Sequence, residues 1–149
     1  MEVYIQLKSC LDGIKSNIPK NWYRNLKRVL RTIKGKDVFY EEAAFANGTL
    51  VRYLDFNDTY LSLEPAHPSD NIAPLIACAQ AYGKSGLDLI LAIAIAYEIQ
   101  CRLCDGASLR AKGIDHVTYG AFSVACGAAI LMDLDKDQLE NALGIAGVC

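Results

Sequence analysis

The segment Leu87–Cys104, LDLILAIAIAYEIQCRLC, constrains the rest of the chain most. Ser85-Gly86-Leu87-Asp88 leads into it with the form of a capping box, in which a serine hydroxyl and an acid three residues on satisfy each other's backbone N–H groups. Alternation in LAIAIA would suit a strand, but length and alanine content predict a helix. That helix is apolar nearly all round for two turns, so it is expected to be buried centrally. Its clean apolar run, Leu89–Tyr97, has nine residues, against roughly 20 needed to span a bilayer.

Other segments read as helices that could surround it. Glu41–Phe56 carries Ala43, Ala44, Ala46, Leu50 and Leu54, and its Asn47-Gly48 suggests close backbone approach by a neighbour. Asp55, Asp58 and Thr59 stand at i, i+3 and i+4 and are expected to share a face of its last turn, where two acids oppose the helix dipole. Glu64-Pro65 and His67-Pro68 favour extended backbone, which makes 60–68 a loop. Asn71 is the expected N-cap of a helix with Pro74 at N3 and a stop at Gly83. Asp115 or Thr118 is expected to cap the next helix, whose Gly120–Ala129 stretch is small enough for close packing. Asp135, with Gln138 at N3, caps a last helix running to about Ala146. The expected fold is all-α, a bundle-like domain of about six helices.

Residues 1–40 read as a basic lead-in and 41–149 as the main domain. Trp22, Leu26, Val29 and Ile33 make one helical stripe, with Pro19 allowing a start and Gly35 a stop. Residues 1–36 hold nine Lys/Arg against two acids, while the remainder holds six against fifteen. The basic stretch has no nucleic-acid motif and reads as a solvated face, so neither nucleic acid nor membrane is an expected partner. Met1-Glu2 opens no signal peptide, and a cytoplasmic address is expected. The six cysteines, at 10, 78, 101, 104, 126 and 149, sit mostly among apolar residues and read as structural thiols. Cys101-X-X-Cys104 lacks the context of a zinc or redox site.

Chemistry concentrates between Ala44 and Ala73. Asp55, Asp58, Thr59, His67, Ser69 and Asp70 crowd into sixteen residues beside apolar segments. The second histidine, His116, lies in a Gly-bounded loop, KGIDHVTYG. Two loop histidines near carboxylates form an acid–base constellation. No serine-hydrolase elbow, phosphate-binding glycine loop or metal-binding histidine spacing is present, so neither metal nor cofactor is expected.

RYLDFNDTY, AHPSDNIAPLIA, SGLDLILAIAIAYEIQ, KGIDHVTYGAFS and LDKDQLENALGIAGV, in that order, resemble consecutive blocks of the MmgE/PrpD family. Its members include 2-methylcitrate dehydratases and cis-aconitate decarboxylases, and the Thr59-to-His67 step resembles the dehydratase branch. The resemblance implies a helical domain paired with a smaller α/β domain, with the active site between them. It implies dehydration of a hydroxy-tricarboxylate without metal or iron–sulfur cluster. On that basis His67, Asp55 and His116 are the expected catalytic residues, and Thr59, Asp58 and Ser69 the expected substrate-binding ones. Cationic groups for a tri- or dicarboxylate are expected from a second domain or a homo-oligomeric partner, Arg52, Arg110 and Lys112 being the local substitutes. The alternatives are a sister activity, cis-aconitate decarboxylation or amino-dicarboxylate epimerisation, or a non-catalytic helical interaction module.

Overall fold

The computed structural model describes residues 30–31 and 37–148. Within them the chain is all-α apart from one two-residue ribbon. Strand β1 (Leu30–Arg31) pairs antiparallel with β2 (Asp37–Val38), with Leu30 opposite Val38 and Arg31 opposite Asp37. Five α-helices follow: α1 (Tyr40–Arg52), α2 (Ile72–Tyr82), α3 (Gly86–Gly106), α4 (Thr118–Leu131) and α5 (Lys136–Ala146). Two 3₁₀ turns, Pro68–Asn71 and Arg110–Lys112, lead into α2 and α4.

Leu30–Arg31 departs from the expected basic helix. Backbone pairing with β2 wins over the helical stripe there, and Val38 anchors the ribbon by packing on the core. The rest of that expected helix, and the lead-in before it, lie outside the described residues.

The core is built largely from alanine. Ala43 and Ala44 of α1, Ala77, Cys78 and Ala81 of α2, Ala92 and Ala96 of α3 and Ala128 of α4 are buried around Leu75 and Leu131, which are fully enclosed. Short side chains bring the helices close, with α2 packed on α1, α3 and α4. Among the described glycines the tightest site is Gly127, where a Cβ would lie 2.9 Å from Leu75 Cδ2 and 3.0 Å from the Ala92 carbonyl oxygen. The expected close packing along the small-residue stretch of α4 is found there. At Gly48 a Cβ would meet open space, so among the described residues no side chain or backbone presses on that glycine itself.

Three helix ends follow local chemistry. Ser85 Oγ accepts from the Asp88 N–H at 3.2 Å and Asp88 accepts from the Ser85 N–H at 2.9 Å. Asp135 and Gln138 form the same reciprocal pair ahead of α5. Gly83 ends α2 with φ 63°, the left-handed backbone that glycine adopts without steric penalty.

Other expectations are corrected. Helix α1 ends at Arg52, four residues before Phe56, so Asp55, Asp58 and Thr59 lie in the following loop and share no helix face. Asp55 itself has φ 55°, a conformation in which no helix continues. Asn71 does stand at the N-cap of α2, with Pro74 at N3, but its backbone is helical and its side chain makes no cap bond, because its amide is committed to a buried network. Neither Asp115 nor Thr118 is the N-cap of α4; Val117 is, and the Asp115 carboxylate accepts from its N–H at 3.0 Å. Helix α3 is not enclosed all round. Only the stripe Ala92, Ala96, Gln100 and Cys104 is buried, while Leu87, Ile90 and Leu91 stand 76%, 65% and 51% exposed. Among the described residues nothing covers that outer face.

Candidate active site

The loop between α1 and α2 is tied down at several points. Tyr60 and Ala66 exchange backbone hydrogen bonds of 2.9 and 3.0 Å, closing a small ring. Tyr60 and Ser62 both donate to Asp105 at the end of α3, at 2.8 and 2.6 Å. Inside that ring the Glu64 carboxylate is fully buried. It accepts from the Ser108 hydroxyl at 2.8 Å and the Arg110 N–H at 3.0 Å, and pairs with the Arg110 guanidinium. Desolvation raises its pKa, but these donors outweigh it and hold the carboxyl below its ordinary value. Arg110 is therefore a structural partner of this loop.

The ring delivers His67 to its place. His67 Nδ1 lies 2.7 Å from the backbone carbonyl oxygen of Asp58. A carbonyl oxygen only accepts, so Nδ1 carries the proton and Nε2 of the neutral ring keeps the lone pair. The Asp58 carboxylate accepts from the Ser69 N–H at 2.9 Å and from the Tyr97 hydroxyl of α3. Burial, and then that bond to Asp58, push the Tyr97 phenol upward. His116, in the connection before α4, has Nδ1 3.0 Å from the Asp115 carboxylate.

Both histidines line one cavity with Ala66, Asp70, Asn71, Gln100 and the first turns of α4. It is small, with a cavity volume of about 30 Å³, and partly open to solvent. Of the residues given a role from sequence, His67 and His116 form its wall. Asp58 and Ser69 stand behind His67, bonded to each other as described. Asp55 is exposed and pairs with Arg52 at 3.0 Å, and Thr59 is exposed on the loop.

The structure adds groups to which the sequence reading gave no role, Asp70 having been noted only as part of the Asp55–Asp70 cluster. Asp70 faces the cavity, 3.3 Å from Asn57 Nδ2 and 3.7 Å from Arg52 Nε. Burial pushes its carboxyl upward, opposed by Arg52 and His67 and reinforced by Asp58 and Asp55. Asn71 and Gln100, both almost fully buried, form the inner wall. Gln100 was legible in principle as the one polar side chain in the i, i+4, i+8, i+12 stripe of α3.

The four described cysteines, Cys78, Cys101, Cys104 and Cys126, stand apart from this chemistry. Burial pushes the Cys78 and Cys104 thiols up to about 12 and about 11, far from the thiolate that metal or redox work requires. Among the described residues no group of three or more His, Cys, Asp or Glu side chains is arranged to hold a metal ion. None of their helices is long and apolar enough to cross a membrane.

The order of blocks and the helical core agree with what sequence comparison finds. The chain is 36% identical over 117 residues to a 2-methylcitrate dehydratase of Cupriavidus necator, which covers 72% of this chain and 24% of that protein. It is 34% identical over the same length to the 2-methylcitrate dehydratase of Escherichia coli K12, with the same coverage. A probable 2-methylcitrate dehydratase of Saccharomyces cerevisiae is 34% identical over 97% of this chain and 30% of its own length. The chain thus spans between a quarter and a third of these relatives. No solved structure matches it. The sequence profile of the MmgE/PrpD N-terminal domain matches residues 23–149, and the chain belongs to the MmgE/PrpD family.

Proposed function

We propose that this chain is the N-terminal helical part of a hydro-lyase of the 2-methylcitrate dehydratase type, which eliminates water from a hydroxy-tricarboxylate by acid–base catalysis. The observation that carries the reading is the pair of histidines in one cavity wall, each with Nδ1 engaged by the protein. The names of the relatives supply the reaction class.

In the proposed step, His67 Nε2 removes a carbon-bound proton next to a substrate carboxylate. The C–H electron pair becomes the new C=C bond, the neighbouring C–O bond breaks, and the departing hydroxyl takes a proton from His116 and leaves as water. Asp58 positions His67 through its carbonyl and, with Ser69, fixes the loop. Asp55 tunes the site's charge through Arg52, and Thr59 meets substrate at the rim. The step is proton transfer alone, so no cofactor or metal enters the proposal.

A tricarboxylate also needs cationic clamps. Arg110 is committed to Glu64, and Arg52 is shared between Asp55 and Asp70. The clamps are therefore proposed to come from outside the described residues, from the rest of the native polypeptide or a second copy. The exposed Phe56 (91%), Leu61 (77%) and outer face of α3 support such a neighbour. The test is to purify the polypeptide as its source makes it and follow alkene formation from 2-methylcitrate, citrate and related hydroxy acids. Dehydration of 2-methylcitrate in preference to the others is the expected result. Carbon dioxide release from cis-aconitate without dehydration would overturn the reading in favour of a decarboxylase.

A further inference from the structure

Gln100 is 4% exposed, lines the cavity and has half of its carboxamide unused. Which half follows from a chain of fixed donors and acceptors. The Pro68 carbonyl can only accept, so the Asn71 group 2.8 Å from it is the Nδ2 amide. The same Nδ2 lies 2.6 Å from Gln100, which must therefore present Oε1. Asn71 Oδ1 is in turn satisfied by the Ser123 hydroxyl at 2.7 Å. The three side chains come from the turn before α2, from α3 and from α4, and Asn71 and Ser123 are themselves buried. Their bonds lock the Gln100 amide in one orientation.

What remains is the Gln100 Nε2 amide. It has no hydrogen-bond partner among the described residues. It is not among the polar atoms shut off from solvent, so it opens on the cavity, where a ligand can complete its bond. An –NH₂ group can only donate, so its partner must accept without needing a proton in return. A carboxylate oxygen does this, and it makes a stronger bond to an amide than a neutral acceptor does.

We propose that the Gln100 carboxamide, oriented by Asn71 and Ser123, donates a hydrogen bond to a substrate carboxylate in the cavity between His67 and His116. It fixes that carboxylate against the inner wall, and the reacting carbons are thereby held beside the histidines. This inference rests on the carboxylate-substrate reading above and adds a specificity determinant to it.

The test is a titration of the native polypeptide with propane-1,2,3-tricarboxylate, which carries the carboxylates but no hydroxyl to eliminate. The readouts are the ¹H–¹⁵N signals of the Gln100 –NH₂, assigned by their loss in Gln100→Glu, and the ring signals of His67 and His116. The expected result is a saturable shift of the Gln100 pair. Gln100→Glu, which keeps the acceptor for Asn71 and removes the donor, should weaken binding at least about tenfold at neutral pH with helical content unchanged. Binding by that variant should recover as acid protonates the new carboxyl and restores a donor. Histidine shifts with an unmoved Gln100 pair, or unchanged affinity in Gln100→Glu, would overturn the inference and leave the carboxylate reading standing. A probe that moves none of these signals would overturn both.

Discussion

The Asp58 carbonyl oxygen, 2.7 Å from His67 Nδ1, fixes which nitrogen of that histidine can act as a base. The same residue uses its carboxylate to hold the Ser69 N–H and the Tyr97 hydroxyl. One aspartate thus joins the loop, the turn before α2 and helix α3 behind the His67 ring. Because the bond to His67 comes from main chain, a side-chain change acts only through position. Asp58→Asn, which keeps an acceptor for Ser69, should lower kcat by less than about tenfold. Asp58→Ala, which strands a donor and frees the loop, should lower it by about a hundredfold. Steady-state kinetics of the two variants check this, and equal losses would contradict it.

Glu64 makes stability depend on pH. Its carboxyl titrates lower in the folded chain than the ordinary 4.5. The stabilisation it gives is therefore fully present above that ordinary value and is lost as pH falls through the lower folded one. Glu64→Gln should reduce Tm at pH 7, and the gap from wild type should narrow once the pH drops below about 4, where an unfolded glutamate protonates. Thermal melts across pH 3–7 measure this, and a gap that widens in acid would contradict it.

Gly127 sits where α2, α3 and α4 meet. An added methyl would press on Leu75 Cδ2 and on the Ala92 carbonyl, and backbone cannot swing aside as a side-chain end can. Gly127→Ala should cost about 1–3 kcal/mol from overpacking, despite alanine's better helix propensity. Gly48→Ala, with open space around it, should instead stabilise by up to about 1 kcal/mol. Denaturant unfolding of both variants separates the two cases.

Much of the fold was legible where the signal is local. The Ser85/Asp88 and Asp135/Gln138 boxes and the Gly83 stop act through neighbours within three or four residues, and each stands where the sequence puts it. What was not legible depends on distant partners. Helix α1 stops at Arg52 because the following loop is drawn to the end of α3 through Tyr60, Ser62 and Glu64. Asn71 looks like a cap in sequence, yet its amide bridges to Gln100 and Ser123, 29 and 52 residues away. The apolar outer face of α3 reads as core, since hydrophobicity alone does not say which neighbour covers it. The site divides in the same way. His67 and His116 were visible as rare residues in constrained loops, whereas Asp70 and Gln100 needed the three-dimensional wall to give them a direction.

In the proposed step His67 is the base in this cavity. The direct measurement is kcat for dehydration by the native polypeptide carrying His67→Gln, beside its Tm. The expected result is a loss of about 10²–10⁴-fold in kcat with Tm close to wild type, since glutamine can still donate to the Asp58 carbonyl. A kcat within twofold of wild type would contradict it.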